Sequence, residues 1–103
     1  MQPSAQTAAE IQVMLSYQPL GLVRGNARDI RLDGMVVDTG VVSLSRDAEV
    51  GVTLAYHKGD ELRVHRVDAA VTTSSREGHS LRFLPYDSEV HRALEEMMAA
   101  TAH

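Results

Sequence analysis

Apolar and polar residues alternate along most of this chain with the period of two expected of half-buried strands. Ile11, Val13, Leu15 and Tyr17 are separated by Gln12, Met14 and Ser16. This predicts a first strand over residues 10–17, although Thr7-Ala8-Ala9-Glu10 also has the form of a helix capping box. Gln18-Pro19-Leu20-Gly21 is a turn signal, and a second strand is expected from Leu22 to Arg31. Leu32-Asp33-Gly34 reads as a tight turn in which Gly34 is free to take a positive φ, with a third strand from Met35 to Thr39. Val50, Val52, Leu54 and Tyr56 mark a fourth strand, closed by His57-Lys58-Gly59-Asp60.

From Leu62 to Thr73 the apolar phase changes, as Leu62 and Val64 give way to Val67, Ala69 and Val71. A slip of one residue inside a long strand predicts a bulge or sharp bend. Ser74 to His79 reads as a polar turn and Ser80 to Leu84 as the last strand. After Pro85 the period becomes helical: Val90, Leu94, Met97 and Met98 share one face, and Asp87 or Ser88 is placed to cap the N-terminus. The fold class expected is mainly β, a small six-stranded antiparallel β-barrel of split-barrel type, with a C-terminal α-helix over its mouth or flank. Residues 1–9 are expected to be a flexible tail and residues 10–100 a single domain.

Composition narrows the function classes. The 103 residues are 44% apolar, enough for one core, and contain no cysteine, which removes disulfide and thiolate chemistry. A net charge of −4 and four aromatic residues (Tyr17, Tyr56, Phe83, Tyr86) argue against a DNA- or RNA-binding surface built on stacking and a basic face. The N-terminal residues lack the basic and apolar regions of a signal peptide, and no apolar run has the length of a membrane span. A soluble, cytoplasmic protein is expected.

The stretch from Arg28 to Val37 carries the sharpest motif, with Asp29 and Gly34 five residues apart around a turn. It resembles the Asp/Asn-x-Ser-x-x-Gly signature of PilZ domains, a bacterial family of which many members bind cyclic di-GMP. The order of elements fits the resemblance: Gly25 to Ile30 enters the signature, Gly34 to Thr39 leaves it, and Ser80-Leu81-Arg82-Phe83 is similar to the family's late strand ahead of a C-terminal helix. The resemblance implies two ligand-gripping elements, this turn and an Arg-x-x-x-Arg pair in an arm ahead of the barrel. Asp29 and Gly34 match, Arg31 stands where the family has serine, and residues 1–10 hold no arginine. Arg24 and Arg28 have the spacing of the pair but lie in the strand that leads into the turn, on one face together with Asn26.

If cyclic di-GMP binds, the implied contacts are therefore Arg24, Arg28, Asp29, Arg31 and Gly34, since guanidinium groups pair bidentately with phosphate and stack on purines. The reading that follows is a non-enzymatic signalling or adaptor domain linked to cyclic di-GMP, motility, type IV pili or surface polysaccharide. Its nucleotide site is degenerate and it works by protein–protein contact, as a monomer or homodimer. The alternative is a true receptor with a rearranged arginine set.

No catalytic constellation is present. Ser43, Ser45, Ser74 and Ser75 lack a glycine-flanked elbow, and there is no glycine-rich phosphate loop. His57, His65, His79, His91 and His103 lack ligand spacing, and Asp33 and Asp38 read as turn and strand residues rather than metal ligands. No cofactor is expected: a flavin-binding split barrel is disfavoured by the short chain. The Met97-Met98 end of the helix reads as core, with a partner or dimer surface as the second option.

Overall fold

The computed structural model describes residues 11–75 and 78–101; the expected tail over residues 1–9 lies outside them. Six strands and one helix follow in order: β1 (Gln12–Tyr17), β2 (Gly21–Ile30), β3 (Gly34–Asp38), β4 (Glu49–Lys58), β5 (Glu61–Ser75), β6 (Gly78–Phe83) and α1 (Ser88–Thr101). All strand pairs are antiparallel, and the sheet closes on itself in the order β1-β2-β3-β6-β5-β4, so each strand has two neighbours. The mainly β barrel with a C-terminal helix is the architecture that the alternation predicts. Residues 12–17 form a strand, which settles the choice between strand and helix there.

The inward positions are those of the period-two pattern. Val13, Leu15 and Tyr17 of β1, Val50, Val52, Leu54 and Tyr56 of β4, and Val67, Ala69 and Val71 of β5 are buried in one core. Each buried valine or leucine side chain contributes about 1.5–3 kcal/mol by leaving water.

The two ends of the barrel are closed differently. At one end α1 lays Val90, Ala93, Leu94 and Met97 on the core, with Leu94 and Met97 fully buried. Asp87 caps it, its Oδ1 accepting the Val90 N–H at 3.0 Å. Glu96 ties the helix to β4, accepting hydrogen bonds from the Tyr56 hydroxyl (2.8 Å) and the Lys58 ammonium (2.5 Å). Burial, with the Glu96 carboxylate beside it, pushes the Tyr56 phenol up to about 12. At the other end the connection between β3 and β4 folds over the barrel and inserts Leu44 into the core. Side chains staple this connection down. The Tyr17 hydroxyl donates to Ser45 Oγ at 2.8 Å, and the buried His79 ring sits 3.2 Å from the Val42 carbonyl and 2.7 Å from Ser74 Oγ.

Three local expectations are corrected. The β4–β5 register runs unbroken from Glu49↔Ala70 to Lys58↔Glu61, so there is no bulge between Val64 and Val67. Leu62 and Val64 instead keep the outward phase of β5 and stand 57% and 54% exposed. The long strand β5 does carry a bulge, but further along, between Val71 and Thr73, and a second lies between Ala27 and Asp29 in β2, both flanking the β3–β6 pair. Ser74, Ser75, Gly78 and His79 belong to strands, so the β5–β6 hairpin is tighter than the polar stretch predicts. Finally, Gly34 is not among the residues with positive φ. It is the first residue of β3, paired with Arg82, and a Cβ there would overlap the Leu81 carbonyl oxygen. The glycine serves close backbone approach between two strands.

Candidate functional site

The turn between β2 and β3 owes its shape to the bulge just before it. Up to Ala27 the odd positions Val23 and Gly25 face inward; beyond Asp29 it is Ile30 that is buried. The extra residue resets the phase, keeping Ile30 in the core and placing Arg28 and Asp29 side by side on the exposed surface. The turn is then fastened from below. The Arg31 N–H donates to the Gly34 carbonyl at 2.8 Å, the Phe83 N–H to the Asp33 carbonyl at 2.9 Å, and the Tyr86 hydroxyl to the Leu32 carbonyl at 2.5 Å. Phe83 and Tyr86 meet edge to face, with ring centroids 6.1 Å apart, and hold that hydroxyl in place.

On the outside, a depression of about 410 Å³ opens beside the turn. Asp29, Arg31, Asp33 and Gly34 line one side of it, and Thr72, Ser80 and Arg82 from β5 and β6 line the other. Its charged lining is balanced, two carboxylates against two guanidinium groups. Arg31 is also engaged, its Nε donating to Asp29 Oδ2 at 3.2 Å.

The motif residues are only partly brought together. Asp29, Arg31 and Gly34 share this depression. Arg28 does not line it, and pairs with Asp38 at 3.5 Å. Arg24 lies on a separate groove over β1 and β4, and roughly 20 Å of strand separates it from Arg31. Arg24, Asn26 and Arg28 are all exposed on the outside of β2, as their spacing predicts, but only Arg24 and Asn26 line the same groove. Asp38 has a turn role as well, since its Oδ1 accepts the Gly40 N–H at 2.9 Å. Among the described residues no group of three or more His, Asp or Glu is placed to hold a metal.

Arg82, Ser80 and Thr72 complete the depression without having been singled out from sequence. They reach the turn because β3 pairs with β6 across the closed barrel, a long-range fact with no local signal except their outward phase on β5 and β6.

No helix among the described residues is long and apolar enough to cross a membrane. Compared with models of protein families and with curated protein sequences, the chain matches none of them.

Proposed function

We propose that this protein is a non-enzymatic, PilZ-type binding module of the bacterial cytoplasm, tied to cyclic di-GMP signalling but acting by contact with another protein. The resemblance of the Asp29 to Gly34 turn motivates the link, and the closed six-stranded barrel followed by a helix is compatible with it. The observation that carries the adaptor reading is the charge balance of the depression at the turn. A cyclic dinucleotide brings two phosphates and needs a surplus of cations around it. Here Asp29 and Asp33 offset Arg31 and Arg82, while Arg24 and Arg28 stand apart.

Exposed ion pairs contribute only about 0–1 kcal/mol, so phosphate can displace Asp29 from Arg31. The separation of the arginines weighs more than their pairing. One observation favours the alternative of a receptor with a rearranged arginine set: Arg31 and Arg82 flank a single depression with the hydroxyls of Ser80 and Thr72 beside them.

Calorimetric titration with cyclic di-GMP separates the two. The adaptor reading expects no saturable heat at micromolar ligand. Saturable binding that is lost in Arg31→Ala and Arg82→Ala would instead establish the receptor.

A further inference from the structure

The outer surface over β2, β1, β4 and β5 is built unlike the rest of the barrel. The registers align Arg24, Met14, Thr53 and Arg66 in one row across these strands, and Asn26, Gln12, Ala55 and Val64 in the next. The floor is therefore low along β4, where Thr53 and Ala55 lie, while β1 beside it carries the longer Gln12 and Met14. The walls rise on β2 with Leu22 and Arg24 and on β5 with Val64. Together they bound a groove of about 590 Å³. Leu22 is 72% exposed. Among the described residues Arg24 is the one charged side chain lining the groove, and it makes no ion pair or hydrogen bond with any of them. Its neighbour in charge, Arg66, lies flat over Gly51 and lines a different hollow with Glu49 and Asp68.

From this surface we infer a docking site for an amphipathic α-helix of a partner protein, with aliphatic residues on its buried face and a carboxylate on the flank that meets Arg24. Three features select that occupant. Every strand under the groove is paired on both sides, so a partner cannot add itself as another strand. Two strand spacings, about 10 Å, separate Gln12 and Met14 of β1 from Val64 of β5, so the low strip along β4 admits a row of side chains from a helix of about 10–12 Å diameter laid along it. Arg24, without a partner among the described residues, calls for an anion next to apolar surface, and a helix supplies both at i, i+3 and i+4 spacing. This inference rests on the protein-contact reading above and gives it a place on the molecule.

The test uses two fluorescent, lactam-stapled helical peptides of about 18 residues. They share a leucine stripe and differ in carrying Glu or Lys at one flanking position. Anisotropy is expected to show saturable binding of the Glu peptide, with the Lys peptide about tenfold weaker. In Arg24→Glu that preference inverts, and in Leu22→Ser/Val64→Ser both peptides lose binding while amide spectra report an intact fold. Equal binding of the two peptides, binding unchanged by these substitutions, or no binding would each overturn the proposal. So would a concentration-dependent dimer abolished by Val64→Glu, which makes the occupant a second copy, or contacts from residues 1–9 to the groove methyl groups, which make it the chain's own N-terminal segment. Nucleotide titration is independent of all these readouts: saturable cyclic di-GMP binding sinks the adaptor reading, whereas failure of the peptides with no nucleotide binding sinks the groove alone.

Discussion

The depression at the β2–β3 turn and the groove over β1 and β4 lie on the outside of the same barrel, yet they are finished in opposite ways. At the turn, the carbonyls of Leu32, Asp33 and Gly34 each accept a hydrogen bond from within the molecule, and Asp29 is joined to Arg31. In the groove, aliphatic side chains and a guanidinium that has no partner among the described residues face solvent beside a strip of small residues on β4. The region with the sharper sequence motif is the one whose chemistry is internally satisfied. A motif reports that particular residues are needed at a spacing, and the need can be met by packing as well as by a ligand.

Gly34 offers the strongest way to break this contrast. Because its missing Cβ makes room for the Leu81 carbonyl, Gly34→Ala should force β3 and β6 apart and cost about 3 kcal/mol, read as a lowered urea midpoint. Native stability with altered ligand binding would return the glycine to a functional role. The helix latch affects both surfaces alike and serves as a reference. Tyr56→Phe removes a hydrogen bond to a carboxylate and should cost about 1–2 kcal/mol. The Lys58 ammonium, and after it the Tyr56 hydroxyl, hold the Glu96 carboxyl below its ordinary value. An acid depressed in the fold stabilises it above its unfolded pKa and loses that contribution as pH falls through the folded value. Stability should therefore decline below about pH 4.5, and Glu96→Gln should flatten that decline in urea titrations at stepped pH.

Smaller effects sharpen the comparison between the surfaces. Asp29→Asn breaks an exposed pair and should cost less than about 1 kcal/mol. It also tips the charge of the depression toward cation, so any phosphate affinity hidden there should emerge in the variant. Gly51→Ala should change stability by less than about 0.5 kcal/mol, because a Cβ there meets the flexible end of Arg66 at 2.7 Å, which can swing away. Two strand glycines, one blocked by backbone and one by a side-chain tip, should thus differ several-fold in cost.

Much of the fold was legible in the chain. Period-two runs such as Val50 to Tyr56 need only one buried face to be recognised, and the helix announced itself through Asp87, Val90, Leu94 and Met97. What the pattern could not convey was the source of a phase break. Leu62 and Val64 look the same in sequence whether a bulge turns them inward or solvent receives them, and the second occurs here. The bulge at Arg28 was hidden for the same reason, since its effect is visible only in the burial of Ile30. His79, in a polar stretch, is buried because the β3–β4 connection folds back over it, an event set by tertiary contacts. Of the site, the motif positions Asp29, Arg31 and Gly34 were legible, whereas Arg82 arrives through barrel closure and the groove arises from register across four strands.

One experiment tests the contrast at its centre: amide spectra of the isotope-labelled protein, recorded first with cyclic di-GMP and then with the Glu-bearing helical peptide. The account predicts that the nucleotide leaves the signals in place and that the peptide moves those of Met14, Leu22, Arg24, Thr53, Ala55 and Val64. Saturable shifts of Asp29, Arg31, Ser80 and Arg82 with the nucleotide, and none in the groove with the peptide, would contradict it.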